Sequence, residues 1–213
     1  MKEYCLLPQE EKEALIKKAA DRAYQIELNY GNCIQSGLGG LMEAFPDMGV
    51  TPELIQASFG LAGGGCISLK GTCGALSGAA MAISLFYGRP MDDLGGYYDD
   101  CHALIRTVMD DFEAEYGSVL CCDVLAHNLG AAYDWKEEKG CQEYNAHHGS
   151  MHDAEVSAFC TEKVARMLVD GKLKYGEDLR PDIDVPYYKS PNMLKKIAAR
   201  EERIAARKAA EKQ

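Results

Sequence analysis

The cysteines are the residues of this chain with the widest capacity for chemistry, and four of the nine recur in similar surroundings. Cys33, Cys73, Cys121 and Cys160 each lie at the start of an apolar stretch or within one, and none belongs to a CxxC pair. Because they are widely separated, only tertiary folding could bring their sulfur atoms together. A metal centre, an iron–sulfur cluster or a thiol–disulfide pair would each require this.

The number of cysteines limits how they can be used. Nine is an odd number, so full pairing within one chain is impossible and at least one thiol is left over. The first residues, Met1 to Pro8, contain no apolar stretch long enough for the core of a signal peptide. We therefore expect a cytoplasmic, reducing location, where grouped cysteines more often bind metals or react than form structural disulfides.

Charge and hydropathy argue against two large classes of partner. The formal net charge is −10, which disfavours general binding to nucleic acid, because contacts with phosphate need a basic surface. The longest mostly apolar run, residues 74–87, is too short to cross a bilayer, so we expect no membrane span. Residues 190–213 carry seven Lys or Arg and three Glu, a net charge of +4, which favours a solvated charged helix over a segment that docks on an acidic partner.

The elements that must position the cysteines have the periodicity of helices. Apolar residues recur every three or four positions over residues 10–30, and Gly31 is the residue type that commonly ends a helix. A second apolar stripe starts at Ile34, which places Cys33 in the first turn of a helix. Amide groups at a helix N-terminus lower the pKa of a thiol, so we predict a reactive or metal-binding thiolate at Cys33.

A glycine-rich loop follows the next predicted helix. Thr51 and Pro52 are typical of the start of this short helix. The run Gly63, Gly64 and Gly65 cannot hold a helix cheaply and lets the backbone approach another group. Since the phosphate-binding pattern GxxxxGK[ST] is missing, we predict that the loop packs closely over a cofactor or a helix, with these three glycines as cofactor-binding residues.

The helix that follows Cys73 has a row of small residues on one side. Gly74, Gly78 and Ala82 recur every four positions, so a neighbouring helix can approach closely. This row predicts the central helix of a bundle, and it also favours a homodimer.

The whole chain predicts an all-α fold. Further helical stripes are predicted to begin after the capping residues Ser118 and Asp153, and alternating strand patterns are nearly absent. Residues 1–175 are predicted to form a single-domain helical bundle. Residues 176–213 are predicted to form an extended linker and a charged helical tail that begins at Pro191.

Together these motifs resemble the bacterial and archaeal family called C_GCAxxG_C_C, whose members are described as redox-active proteins. The resemblance covers roughly residues 14–170. Its segments occur in the family's order and are Gly31-Asn32-Cys33, the loop 59–65, Thr72-Cys73-Gly74-Ala75-Leu76-Ser77-Gly78-Ala79, Tyr87-Gly88, Tyr116-Gly117-Ser118-Val119-Leu120-Cys121, and Cys160. In the central motif the order is Cys73-Gly74-Ala75, where the family name has a glycine followed by Cys-Ala.

The family is in turn similar to part of split-Soret cytochrome c, a largely helical, dimeric protein with covalent haems and an iron–sulfur cluster held by cysteines. This resemblance implies an iron–sulfur cluster, with Cys33, Cys73, Cys121 and Cys160 as metal ligands, and a homodimer. Covalent c-type haem is not expected, because the chain contains no CxxCH sequence.

Several uses of the four cysteines stay open. A metal-free thiol–disulfide redox protein and a non-catalytic zinc site would use the same residues as an iron–sulfur cluster. Cys73 and Cys160 also lie on apolar stripes, where a free cysteine can be an ordinary core residue. Cys66 and Cys122 are candidates to replace one of the four ligands. The three histidines within residues 147–152 form a second candidate metal patch, although a solvated loop is favoured there.

The sequence thus predicts an all-α, cytoplasmic redox protein based on cysteine. Its most favoured function is to bind an iron–sulfur cluster and carry electrons for an anaerobic reductase system, together with an unknown redox partner protein.

Overall fold

The protein is predominantly helical over the residues that the structure describes, which are 3–91, 99–173 and 191–210 in a computed structural model. Its α-helices are α1 (Gln9–Tyr30), α2 (Cys33–Ala44), α3 (Pro52–Ser58), α4 (Gly74–Tyr87), α5 (Asp99–Tyr116), α6 (Cys121–Leu129), α7 (Glu138–Ala146), α8 (Gly149–Val169) and α9 (Pro191–Ala210). The described residues contain no strand beyond one isolated β-bridge. The predicted all-α fold is confirmed.

The ends of the first helices follow signals in the sequence. Gly31 ends α1 with a positive φ of 73°, and its amide donates a hydrogen bond to the carbonyl oxygen of Glu27 at 2.8 Å. Asn32 caps α2, because its side-chain oxygen accepts a hydrogen bond from the amide of Gln35. Thr51 caps α3 in the same way. Helix α2 therefore begins directly after its cap.

The core lies between α1, α2, α4 and α8, with α5 packed on α4. Glycine lets two of these helix pairs approach closely. A Cβ atom at Gly40 on α2 would lie 2.5 Å from the carbonyl oxygen of Ala19 on α1. A Cβ atom at Gly78 on α4 would lie 3.2 Å from the carbonyl oxygen of Ile34 on α2. Helix α4 is therefore a core helix, and it shares the centre with α2 and α8.

The row of small residues on α4 packs inside the chain. Gly78 faces Ile34, Ala82 is fully buried, and a Cβ atom at Gly74 would lie 2.5 Å from the sulfur atom of Cys33. Because the row already has neighbours within the chain, it no longer argues for an interface between two copies. The homodimer itself stays a prediction.

Two predicted helix caps are wrong. Helix α8 begins at Gly149 and not at Asp153, which lies one turn inside the helix. The ring of Tyr144 occupies the place where a Cβ atom of residue 149 would be, so this start depends on a glycine. Ser118 does not cap α6 either, since Leu120 is the capping residue and its amide donates to the hydroxyl of Ser118.

Helix α9 begins at Pro191, as the sequence predicts. The predicted linker and the boundary between residues 175 and 176 lie outside the described residues. None of the helices in the described ranges is both long enough and apolar enough to cross a membrane.

Candidate functional site

A short antiparallel pairing of two loops places Cys73 beside Cys121. The amide of Cys73 donates to the carbonyl oxygen of Val119 at 2.8 Å, and the amide of Cys121 donates to that of Gly71 at 2.9 Å. An isolated β-bridge lies between these two hydrogen bonds. Helices α4 and α6 therefore start side by side, with a cysteine at the start of each.

The other two cysteines come from α2 and α8. Cys33 is the first residue of α2, and its sulfur atom lies against Gly74, where no Cβ atom is in the way. Cys160 lies in the middle of α8 and is 1% exposed. Each of the four cysteines thus lies in a different helix or, for Cys73, directly before one.

The four thiols are close enough to influence one another's ionisation. Burial is the largest cause of each change, and it raises the pKa of Cys73 and Cys121 to about 12. It raises the pKa of Cys33 and Cys160 well above the usual value. A neighbouring thiolate adds to the effect in the pairs Cys33–Cys73, Cys73–Cys121, Cys33–Cys121, Cys73–Cys160 and Cys33–Cys160. The four thiols therefore interact electrostatically within the fold, and Cys33, Cys73 and Cys121 line one cavity. The convergence of all four on one centre and their role as ligands stay predictions.

The start of α4 acts on Cys73 in the predicted direction, and the glycine-rich loop acts in the same direction on Cys33, but burial outweighs both. A backbone hydrogen bond from Gly63 lowers the pKa of Cys33, and hydrogen bonds from Ala75 and Leu76 lower that of Cys73. Loss of water around the charged form is the larger effect at both residues. The prediction of a lowered thiol pKa at Cys33 is therefore wrong. The charge of Lys163 lowers the pKa of Cys160, but burial outweighs it there too, so these cysteines stay protonated at neutral pH.

A cavity of about 380 Å³ opens beside the cysteines. Cys33, Cys73 and Cys121 form part of its wall, and Cys160 is buried in electrostatic contact with the first two. The rest of the wall is mainly apolar or aromatic. No Lys, Arg or His occurs among the described residues that line it. Its volume is in the range of sites that bind small molecules.

Two carboxyl groups on the cavity wall were not predicted from the sequence. Glu27 is 6% exposed and accepts a hydrogen bond of 2.6 Å from the hydroxyl of Ser36. Burial raises the pKa of Glu27 to about 7, although the hydrogen bond from Ser36 lowers it. Asp153 accepts a hydrogen bond of 2.6 Å from the hydroxyl of Tyr144, and burial raises the pKa of Asp153 to about 6.

The helical spacing of residues in the sequence indicates that both carboxyl groups lie on buried helix faces. Ala19, Ala23 and Glu27 are spaced by four on the buried face of α1, so Glu27 continues an apolar stripe with an ionisable group. Asp153 lies two turns before Cys160, which puts both on one face of α8. An ionisable residue on an otherwise buried stripe is thus the pattern that would have identified them.

The glycine-rich loop contacts the site at two of its three predicted positions. Gly63 lines the cavity and its backbone hydrogen-bonds Cys33. Gly64 lies against Cys121, since a Cβ atom at residue 64 would be 3.0 Å from the Cβ atom of Cys121. Gly65 has nothing within 4 Å of its Cβ position. Cofactor binding by the three glycines stays a prediction.

Residues 63–67 form a left-handed turn, with φ values between 53° and 81°. Cys66 and Ile67 adopt this conformation although it costs a non-glycine residue roughly 1–2 kcal/mol. Their amides are held by the carbonyl oxygens of Gly60 at 2.8 Å and Ala62 at 3.1 Å. Strain of this kind persists where the surrounding structure determines the backbone, and Ile67 lines the cavity.

The two cysteines considered as substitute ligands lie in different surroundings. Cys66 is exposed on the left-handed turn. Cys122 is partly buried, and its thiol donates to the carboxylate of Asp123 at 3.5 Å. All nine cysteines are free thiols in the structure, including the adjacent pair Cys121 and Cys122.

The histidines within residues 147–152 contact groups other than the cysteines. His147 stacks on Tyr133 with ring centres 5.4 Å apart, and Nδ1 of His152 lies 3.1 Å from Oε2 of Glu155. Throughout the described ranges, no group of three His, Cys, Asp or Glu side chains is arranged to hold a metal ion. This holds for the histidines within residues 147–152 and for the four cysteines alike, so a metal site at either place stays a prediction.

Comparison with known proteins identifies the family. Residues 31–169, well over half of the chain, match the model of the family described as "Putative redox-active protein (C_GCAxxG_C_C)". The matched region includes the four cysteines of the site and begins after Glu27. A search of curated proteins and a search of solved structures gave no significant match. The chain belongs to the C_GCAxxG_C_C family.

Proposed function

We propose that four cysteines of this protein hold an iron–sulfur cluster and that the protein carries electrons for an anaerobic reductase system. The proposed ligands are Cys33, Cys73, Cys121 and Cys160. The supporting observation is that these cysteines, from four helices, interact electrostatically beside one cavity. Membership of a family described as redox-active supports a role in electron transfer.

The ionisation of the thiols favours a cluster over a metal-free thiol–disulfide site. A nucleophilic cysteine needs a lowered pKa, whereas burial raises the pKa of Cys73 and Cys121 to about 12. The described wall of the cavity contains no Lys, Arg or His that could supply a positive charge. A metal centre supplies that charge, and it deprotonates the thiols that coordinate it.

The arrangement of side chains favours a cluster over a single zinc ion. Zinc–sulfur bonds of ~2.3 Å require ligand sulfurs within about 4 Å of one another. Cys33, Cys73 and Cys121 line the cavity whereas Cys160 does not, which fits ligands spread around a larger centre. The thiolates of a cluster bind separate iron atoms, so their sulfur atoms lie farther apart, and four cysteines are its usual ligand set.

When bound, a cluster would supply one-electron transfer at a potential that its protein surroundings set. Val124, Leu125 and Val156 on the cavity wall would exclude water from the ligand sulfurs. The backbone hydrogen bond from Gly63 to Cys33 would stabilise negative charge on that sulfur. Hydrogen bonds of this kind are one of the means by which a protein raises a reduction potential.

Elemental analysis after anaerobic purification tests this proposal. We expect iron and acid-labile sulfide in equal amounts, together with a brown colour that bleaches on reduction. Zinc without iron would replace the proposal with a zinc site. A metal-free protein whose thiols cycle reversibly with a disulfide would replace it with thiol–disulfide chemistry.

The homodimer and the redox partner protein are the finer parts of the same proposal, and both rest on the resemblance to split-Soret cytochrome c. Light scattering on the anaerobically purified protein measures its mass and so tests the homodimer. A mass equal to one chain at micromolar concentration would remove the homodimer.

A further inference from the structure

We propose that the cavity beside the cysteines binds a small organic cation, an amine attached to an apolar body. This inference goes beyond electron transfer. It concerns the same cavity that Cys33, Cys73 and Cys121 line, so the ligand would lie beside a cluster held by those cysteines. Three features of the described wall carry it together: two carboxyl groups, several aromatic side chains, and no basic residue.

The cavity has the size of a ligand site, and the side chains on its wall range from exposed to buried. Its volume of about 380 Å³ is in the range of small-molecule sites and far exceeds what a bare metal ion needs. Tyr30 and Phe59 on its wall are 82% and 64% exposed, whereas Glu27 is 6% exposed. The cavity therefore leads from exposed aromatic rings to a buried carboxyl group.

Each carboxyl group uses one oxygen within the protein and leaves the other available. Oε2 of Glu27 accepts the hydrogen bond from Ser36, and Oδ2 of Asp153 accepts the one from Tyr144. Oε1 of Glu27 and Oδ1 of Asp153 have no hydrogen-bond partner among the described residues. Neither oxygen is completely enclosed by the protein. Both residues line the cavity, so these two oxygens are available to accept hydrogen bonds from a ligand there. A charge in such surroundings is costly unless a donor reaches it.

The charge of the wall selects a cation. The negative charge of Asp153 acts unfavourably on Glu27, and the described wall offers no basic side chain between them. An anion would add to this repulsion. A neutral apolar ligand would leave both carboxyl oxygens without a donor, whereas an ammonium group supplies both a positive charge and N–H donors.

The aromatic residues favour an organic cation over a metal ion. Trp135 and Tyr144 meet edge to face with ring centres 5.3 Å apart, and both line the cavity together with Phe59. Aromatic faces attract ammonium groups and pack against apolar bodies. The described residues contain no group of three His, Cys, Asp or Glu side chains arranged to hold a metal ion, which favours an organic cation over a metal ion alone.

Calorimetric titration of the anaerobically purified protein with three probes of similar shape tests this inference. The probes are benzylamine, benzyl alcohol and benzoate, which are cationic, neutral and anionic at neutral pH. We expect benzylamine to bind at least about tenfold more tightly than benzyl alcohol, because charge-assisted hydrogen bonds are the stronger kind. We expect benzoate to bind most weakly of the three.

A matched pair of variants locates the binding site. Glu27→Gln should weaken benzylamine binding at least about tenfold while leaving benzyl alcohol nearly unchanged. Glu10→Gln removes an exposed carboxylate from the same helix and should change neither affinity. Circular dichroism of both variants checks that they fold.

The proposal is overturned if benzylamine gives no saturable heat, if benzyl alcohol binds equally well, or if the two variants behave alike. The three-probe comparison uses the unaltered protein, so it stands even if Glu27→Gln does not fold. Iron and sulfide measured on the same sample judge the cluster separately, since amine binding predicts nothing about metal content.

Discussion

Glu27 and Cys33 are both buried, so each would lose the water around its charged form. The hydrogen bond from Ser36 lowers the pKa of Glu27, yet burial raises it to about 7. The amide of Gly63 lowers the pKa of Cys33, yet burial raises it well above the usual value. Near pH 7, Cys33 is therefore neutral and Glu27 is only about half ionised until a positive charge enters the cavity. A cationic ligand or a metal centre supplies that charge.

The raised pKa of Glu27 predicts a dependence of stability on pH. The pKa is raised from 4.5 to about 7, so the folded protein binds this proton more tightly than the unfolded chain does. The resulting stabilisation is fully present below about pH 4.5 and is lost as the pH rises through about 7. Such a change corresponds to roughly 1–3 kcal/mol. Glu27→Gln should lack this loss.

Urea unfolding followed by circular dichroism between acidic and neutral pH measures the effect. The difference in free energy of unfolding between Glu27→Gln and the unaltered protein should move in favour of the variant as the pH rises. Glu10→Gln, at an exposed position of α1, serves as the control. Parallel curves for Glu27→Gln and the unaltered protein would show that the carboxyl group is not buried as described.

Gly74→Ala should disturb the site without breaking α4. A Cβ atom there would lie 2.5 Å from the sulfur atom of Cys33 and 3.1 Å from the Cα atom of Ala62. We expect a loss of iron and a destabilisation of about 1–3 kcal/mol, as for other overpacked sites. Gly60→Ala is the control, since nothing lies within 4 Å of its Cβ position. Equal iron content in both variants would contradict the contact between Cys33 and Gly74.

The residues of the site were predictable to different degrees. The four cysteines share a recognisable pattern, so the sequence identifies them. Glu27 and Asp153 were missed because the buried stripes of α1 and α8 were identified from their apolar members alone, although each carboxyl group lies on such a stripe. The direction of the pKa change at Cys33 was missed for a similar reason, since the helix start is local whereas burial is not.

At the scale of elements, the left-handed turn of residues 63–67 connects the cavity to α6. Gly64 and Gly65 both have positive φ, so alanine at either position adds similar backbone strain, about 1–2 kcal/mol. Only Gly64 has a close neighbour, the Cβ atom of Cys121 at 3.0 Å. We therefore expect Gly64→Ala to lower the melting temperature more than Gly65→Ala and to reduce iron content as well.

Thermal unfolding and iron analysis of the two alanine variants check this prediction. Because the strain at the two positions is alike, the difference between the variants reports the close contacts of residue 64, which are with Cys121 and with the backbone of Leu69 and Gly71. If Gly65→Ala proved the more damaging, the loop would not be packed on α6 as described.

Element boundaries were predictable wherever the signal is local. Gly31 ends α1, and Thr51 caps α3, as their residue types indicate. The start of α8 was not predictable, because Asp153 has the residue type of a cap while the true start depends on Tyr144 lying against Gly149. That contact joins α7 to α8 in three dimensions, and the spacing of apolar residues along the sequence does not reveal it.

At the scale of the whole molecule, the family match and the distribution of charge both separate the C-terminal segment from the rest of the chain. The match ends at residue 169, whereas the basic segment is residues 190–213 and includes α9. We therefore expect deletion of residues 190–213 to leave iron content and melting temperature unchanged. Any association that depends on the basic segment should weaken as salt is raised, because screening acts over ~8 Å near physiological ionic strength.

Iron analysis and light scattering of the truncated protein at low and high salt measure both outcomes. Loss of iron on deletion would place the basic segment within the cysteine-containing core. Unchanged association at low salt would remove its docking role.

Iron content of two cysteine variants tests the central claim most directly. Cys73 and Cys101 are each 5% exposed, so replacement by serine disturbs the core to a similar extent in both. Cys73 lies on the cavity wall and interacts electrostatically with the other proposed ligands, whereas Cys101 contacts Ser84 at 3.5 Å. We predict that Cys73→Ser, purified without oxygen, loses most of its iron and sulfide while Cys101→Ser keeps both. Full iron in Cys73→Ser, or equal loss in both variants, would contradict a cluster held by these cysteines.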